Sequence, residues 1–252
     1  MRVQRISEMK KYIINNKSVS LQDLCEIFDV SLNTIRRDID QLEKENIISK
    51  VYGGVIINDD SDVVPHSHRV VSNREAKESI CKIASTLLSE RCTIYIDSGT
   101  TTVPLLKYIK PEMKITIISN SLDIFNEAAK YPKLIIISVG GLLSYPTNSF
   151  IGIPAINTLS HYKIDKAFMG TTALSVLNGA TNNSYHESEI KRAVISKSNE
   201  VILLADSSKI DQTASLSFCS FEDIDVFVTD EKPNNALISA AEKLDVNCIY
   251  KQ

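Results

Sequence analysis

Hydrophobic residues at the start of the chain recur at helical intervals. Val3, Ile6, Met9, Ile13 and Ile14 share one face and predict a helix over about residues 2–15. Ser20 offers an N-cap oxygen to "LQDLCEIF", a second helix ending at Phe28. "DVS" reads as a tight connection, and Ser31 as the cap of a third helix whose Ile35, Ile39 and Leu42 face one way. Asn46 stands where that helix must end, since asparagine tolerates the left-handed C-terminal position. "IISKVYGGVIIN" then sets two β-prone runs around Gly53-Gly54, a hairpin signal. Three helices and a hairpin outline an α+β winged helix-turn-helix over residues 1–57.

The pattern changes from about residue 75 onward. "CTIYID" (92–97), "ITIIS" (115–119), "LIIISV" (134–139), "KAFMG" (166–170), "VILLAD" (201–206) and "VFVTD" (226–230) are short apolar runs. Helical lengths such as 122–130 and 186–198 lie between many of them. Near-continuous apolar strands alternating with helices predict an α/β domain over 75–252, its mostly parallel sheet covered on both faces. The stretch between the halves, "NDDSDVVPHSHR" (58–69), is polar and contains a proline, so 58–74 reads as a linker.

Composition narrows the classes. A chain of 252 residues suits one large or two unequal domains, and 43% apolar residues suffice for a sizeable core. "MRVQRISEMKKYIINN" carries no apolar run of the kind a secretory leader needs, so none is expected. No segment approaches the roughly 20 apolar residues of a membrane helix, so no membrane partner is expected. The five cysteines are odd in number, scattered and never in a CxxC pair. That usage points to reduced thiols in a cytoplasmic protein and away from zinc or a disulfide framework; neither metal nor cofactor is expected. The net charge of -3 hides no basic half: residues 1–58 carry nine Lys/Arg against eight Asp/Glu, and residues 59–252 nineteen against twenty-three. A nucleic-acid contact must therefore come from local placement.

Such a placement exists in "DVSLNTIRRDIDQLEKENI" (29–47). On a helix, Asn33, Arg36, Arg37 and Asp40 point away from the face of Ile35, Ile39 and Leu42. They form either a solvated polar face or a surface for an anionic partner. In the first turns of the last helix of a helix-turn-helix, side chains reach the major groove. There Arg pairs with guanine edges or phosphates, Asn33 reaches adenine, and Ser31 and Thr34 donate to phosphate. Asp40 suits this surface less well, because it repels phosphate; it lies beyond the contact or restrains an arginine. Lys50 and Tyr52 sit at the edges of the wing, placed for backbone contact.

In the second half, "IDSGTTTVPLL" (96–106) reads as a strand, a loop rich in hydroxyls and a helix. It is either a generic turn or an anion site built from N–H groups at a helix N-terminus. "SNS" (119–121), "GG" (140–141) and "DSSK" (206–209) end other strands, and in a parallel sheet such loops converge on one crevice. Gly99, Gly140 and Gly141 allow close backbone approach, and Lys209 adds a positive charge. A small phosphorylated metabolite fits these groups.

With those motifs in hand, "VSLNTIRRDIDQLEKENIISKVYGG" resembles the signature of the DeoR-type bacterial transcriptional repressors. Ser31, Thr34, Arg36 and Arg37 match its DNA-contacting positions, while Asn46, Lys50 and Tyr52 replace the usual glycine, arginine and histidine. The resemblance continues through "IDSGTT", "ISNSLDI", "VGG", "SFIG", "DKAFMGTTAL", "NGAT", "ESEIKRAVI" and "LLADSSK". It implies a C-terminal domain with a fold like that of ribose-5-phosphate isomerase and the CoA transferases. It also implies a sugar-phosphate pocket formed by Asp97, Ser98, Gly99, Thr100 and Thr101 around the phosphate, with Asn120, Gly140, Gly141, Asp165, Lys191 and Lys209 lining the rest. Lys191 has an alternative as a solvated helix charge partnered by Glu187 at i−4.

The related fold also hosts enzymes, and fold alone does not settle function. Aldose–ketose chemistry needs a placed general base. Of His66, His68, His161 and His186, only His186 falls near the expected pocket, and where deaminases carry Asp-Gly-His this chain reads "GTTALSVLNGAT". Asp165 remains the one candidate base. The expected function is thus a regulator rather than an enzyme: a repressor of carbohydrate-metabolism genes. Its partners would be double-stranded operator DNA, a phosphorylated sugar, and further copies of itself in a homodimer or homotetramer.

Overall fold

The computed structural model describes residues 2–16, 18–44, 48–51, 53–57, 66–110 and 112–251. The chain divides into two compact units, 1–62 and 63–252. The first contains α1 (Arg2–Asn16), β1 (Ser18–Ser20), α2 (Leu21–Phe28), α3 (Leu32–Lys44), β2 (Ile48–Val51) and β3 (Gly54–Ile57). Ser20 caps α2 as its sequence suggests, its hydroxyl accepting from the Asp23 N–H at 3.0 Å. Asp29 ends α2 in the left-handed conformation, φ 48°. Ile35, Ile39 and Leu42 of α3 are buried with Met9, Ile13, Leu24, Ile48 and Val55 in one cluster. The wing is an antiparallel hairpin with Lys50 opposite Val55. It gains a third strand the sequence did not announce, β1, which pairs with β3. Gly54 is required there, because a Cβ would stand 2.6 Å from the Val19 carbonyl oxygen. Asn46 lies outside the described residues.

The first described elements of the second unit are α4 (His66–Val71) and α5 (Arg74–Ala84), so residues 66–71 of the expected linker form a helix. Seven strands then form one parallel sheet: β4 (Thr93–Ile96), β5 (Thr116–Ser119), β6 (Ile135–Ser138), β9 (Ile164–Gly170), β12 (Ser198–Leu204), β14 (Val226–Thr229) and β15 (Asn247–Tyr250). Its order is β15-β14-β12-β9-β4-β5-β6. Six of these are the apolar runs of the sequence; β15 was missed, being a short edge strand with no fully buried residue. Two smaller sheets were also missed. One pairs β7 (Leu142–Ser144) with β8 (Ser149–Ile151); the other joins β10 (Ala173–Ser175), β11 (Gly179–Asn182) and β13 (Leu216–Cys219). The remaining helices are α6 (Leu122–Ala128), α7 (Ile153–Ser160), α8 (Tyr185–Ile195) and α9 (Asn235–Lys243). Apolar clusters cover both faces of the sheet, as continuous apolar strands require. No described helix is long and apolar enough to cross a membrane.

The strand order has a switch point. From β4 the chain moves to β5 and β6 on one side, then returns to β9 on the other, so the loops after β4 and β9 diverge. A crevice at the carboxyl ends of two such strands is where ligands bind in open α/β sheets.

Candidate functional site

Arg36 and Arg37 are exposed on α3, opposite its buried face, and neither has a hydrogen bond or ion pair among the described residues. Asn33 is exposed beside them. The Ser31 and Thr34 hydroxyls lie 3.1 Å apart at the start of the helix. Asp38, by contrast, is buried and takes a 2.8 Å ion pair from Arg5, which ties α3 to α1. Asp40 and Glu43 both pair with Lys50, at 2.6 and 2.5 Å. Lys50 is therefore held to the outer face of α3, its ammonium stabilised by both carboxylates and its pKa raised. Tyr52 lies outside the described residues.

At the carboxyl ends of the sheet, Asp97 is the hub. Its Oδ2 accepts from the N–H groups of Gly99 and Gly170, both at 3.1 Å, and from Lys191 Nζ at 2.6 Å. Lys191 also donates to the Gly170 carbonyl at 2.9 Å. It is 4% exposed, and Asp97 1%. The reading of Lys191 as a solvated charge is therefore wrong; it clamps the loop after β4 to the loop after β9. Gly99 and Gly170 make the closure possible, since a Cβ on either would stand 3.1 Å from Asp97 Oδ2 and 3.4 Å from the other's Cα. Thr102 locks the loop further, donating to the carbonyls of Asp97 and Gly99 at 2.6 Å. Within this scaffold Ser98 Oγ is buried with no hydrogen-bond partner among the described residues.

Beside it stands the loop after β12. Asp206 accepts from the Ser208 N–H at 3.2 Å and from the Asn73 amide at 3.0 Å. Lys209 has no ion pair among the described residues. Lys77 is buried nearby, and desolvation first, then the cations of Lys209 and Arg69, pull its pKa down while Asp206 opposes them. Thr100 Oγ1 donates to the Arg69 carbonyl at 3.3 Å. Lys77, Arg69 and Asn73 were missed because they come from the segment read as linker and the helix after it.

Other expected members fit less well. Segment 103–108 after the hydroxyl-rich loop is a 3₁₀ helix, not an α-helix; β-branched Thr101, Thr102 and Val103 followed by Pro104 disfavour a longer one. Asn120 is buried and its amide is occupied, accepting from Tyr95 OH at 2.7 Å and donating to the Phe150 carbonyl at 3.1 Å. Gly140 and Gly141 follow β6, about 10 Å from β4 by strand spacing. Gly141 is close to its own chain, since a Cβ would lie 2.5 Å from the Ile151 carbonyl. Asp165 is a correction. It sits at the amino end of β9 and accepts from the Thr93 N–H at 2.8 Å, so it faces away from the crevice by the length of the strand. A parallel sheet places residues at the two ends of one strand in different compartments. Gly170, five residues on, is the one at the site.

The comparisons agree with this two-part architecture. A profile described as a DeoR-like helix-turn-helix domain matches residues 5–61, and one described as the DeoR C terminal sensor domain matches residues 72–231. The chain is 38% identical over 231 residues to the transcriptional regulator IolR of Bacillus subtilis, covering 92% of each. It is 31% identical over 237 residues to the regulator GolR of Listeria innocua, covering 93% of this chain and 92% of that one. It is 29% identical over 215 residues to the glycerol-3-phosphate regulon repressor of Escherichia coli, covering 85% of each. Among solved structures, ribose 5-phosphate isomerase A from Methanocaldococcus jannaschii is similar over 55% of each chain, with 18% identity and a TM-score of 0.42. With a sensor profile spanning most of the chain and a DNA-binding profile in front of it, this protein belongs to the DeoR family of helix-turn-helix transcriptional regulators.

Proposed function

We propose that the protein is a repressor of carbohydrate-metabolism genes whose hold on operator DNA is set by a phosphorylated sugar bound at the carboxyl end of the parallel sheet. The observation that carries the effector half is Ser98 Oγ, a buried hydroxyl with no partner among the described residues, at the carboxyl end of the sheet where the loop after β12 also brings Lys209. A hydroxyl and an ammonium suit a phosphate, and charge-assisted hydrogen bonds are the strong ones. A depression of about 530 Å³ that includes Lys209 is lined mainly by Thr172, Asn183, Ser208, Gln212, Thr213 and Ser215. Hydroxyls and amides with no aromatic ring suit a polyhydroxylated body better than a nucleobase. A relative named for glycerol 3-phosphate agrees with the class.

Arg36 and Arg37 supply the DNA half, contacting base edges or phosphate from the exposed face of α3, with Ser31, Asn33 and Thr34 beside them. Two such helices address two half-sites, so the working form is a cytoplasmic homodimer or homotetramer. The site binds rather than turns over its ligand, because the candidate base Asp165 lies at the other end of β9.

A thermal-shift screen of phosphorylated sugars tests this reading. A ligand present at a hundredfold excess over its Kd stabilises the fold by about 2.7 kcal/mol. The same sugar phosphate is expected to shift a gel-mobility titration of promoter DNA. Absence of any phosphorylated sugar that does both counts against the effector assignment. Turnover of such a sugar by the protein moves it to the enzymes.

A further inference from the structure

Helix α4 lies over the crevice without an apolar anchor. None of its residues is buried, and Val70 and Val71 are 47% and 74% exposed. Its attachments are polar, and they reach the same loops that form the site. His66 Nε2 is 2.7 Å from Asp123 Oδ2 in the first turn of α6, in contact by distance but without hydrogen-bond geometry. The Arg69 guanidinium donates to the Pro146 carbonyl, 3.4 Å away between β7 and β8. The Arg69 carbonyl accepts from Thr100 Oγ1 and from Lys77 Nζ. Asn73, between α4 and α5, donates its amide to Asp206 Oδ1 at 3.0 Å and Ser208 Oγ at 3.3 Å.

We propose that α4 is a latch: an anionic effector takes Thr100 and Lys77 from the Arg69 carbonyl, releases the helix, and thereby changes DNA affinity. This rests on the effector site proposed above and names how that site is read out. Both donors now serve a neutral carbonyl, and a phosphate oxygen is the stronger acceptor. Lys77 gains further, since burial disfavours its charge more than Asp206 offsets, with Lys209 and Arg69 adding to the burial effect, and a second anion beside it relieves that. Thr100 has a single hydroxyl proton to give, and the Lys77 ammonium shifts toward whichever acceptor is stronger, so ligand and docked α4 compete. That gives the differential affinity for two states which any allosteric coupling requires. Release exposes little apolar surface, so its cost is low. α4 is the described element of the second unit that lies nearest the winged helix along the chain, so its release is the step closest in sequence to that domain.

The test uses the full-length protein, amide hydrogen exchange, and a DNA duplex selected from a random library by that protein. Glucose 6-phosphate, ribose 5-phosphate and inorganic phosphate are the probes, with binding read by calorimetry. A bound probe is expected to accelerate exchange in 66–73. The double variant His66→Ala, Arg69→Ala is expected to do the same without any probe. It should also move DNA affinity roughly tenfold in the direction the probe does. Thr100→Val, which removes one clasp without touching α4, should move both readouts the same way to a smaller extent. Unchanged or slower exchange in 66–73 with a probe bound overturns the latch. So does a double variant that exchanges faster yet binds DNA as the parent protein does. If no probe binds, the effector reading fails separately, and the two variants still decide whether undocking α4 alters DNA affinity.

Discussion

Replacing Lys191 by Met tests whether this lysine is a free cation or part of the framework. Methionine keeps the length and apolar stem but removes the ammonium. Asp97 Oδ2 then keeps only the Gly99 and Gly170 N–H groups, at 3.1 Å each, in a site where Asp97 is 1% exposed. The Gly170 carbonyl loses its donor, and the Lys191 ammonium no longer stands 5.1 Å from the centre of the Phe218 ring. Removing one partner of a buried pair costs about 3–5 kcal/mol, because the remaining charge is uncompensated. The two surviving N–H contacts put the expected loss near the lower end, about 3 kcal/mol. The double variant Asp97→Asn, Lys191→Met leaves no buried charge and can keep the backbone contacts through the amide oxygen. It should therefore recover at least about 1 kcal/mol relative to the sum of the single changes, as coupled neighbours do. Urea unfolding followed by circular dichroism measures this, with the transition of the second unit fitted separately. A Lys191→Met loss below about 1 kcal/mol, the range of an exposed ion pair, would show the clamp to be wrong and the lysine to be available to ligand.

Arg37→Ala should weaken specific DNA binding by about 1–3 kcal/mol and relax base preference, measured on specific and scrambled duplexes at two salt concentrations; equal affinity for both duplexes before and after removes the recognition-helix assignment. Lys209→Ala should leave the fold and DNA binding in place while weakening the sugar phosphate by about 1.5–3 kcal/mol, read by calorimetry; an unaltered affinity means the phosphate lies elsewhere. Two glycines with φ +66° should behave differently on change to Ala. At Gly179 a Cβ would lie 2.0 Å from the Cys219 carbonyl oxygen, so β11 and β13 must separate and more than about 3 kcal/mol should be lost. At Gly140 nothing lies within 4 Å, so only the left-handed backbone penalty of about 1–2 kcal/mol applies. Thermal midpoints that fall equally for the two would contradict the close approach at Gly179.

Local pattern determined much of this protein. The spacing of Ile35, Ile39 and Leu42 is enough to turn Arg36 and Arg37 outward, because helical period and burial of one face leave no other arrangement. Six uninterrupted apolar runs determine a sheet covered on both faces, since only such a sheet buries both sides of a strand. Elements below the reach of periodicity were invisible: β1 has three residues, β15 lies at an edge, and α4 has a polar sequence that reads as linker. The site divided along the same line. Residues 97–101 announce a loop, but the partner of Asp97 lies 94 positions away on α8, and nothing local to either residue specifies that meeting. Asp165 and Gly170 share one short strand, so sequence proximity suggested one compartment. The parallel sheet separates them, because a strand rises about 3.3 Å per residue and its two ends open on opposite edges. Which titratable groups belong to the crevice was therefore decided by strand order and direction, quantities that only the assembled sheet possesses.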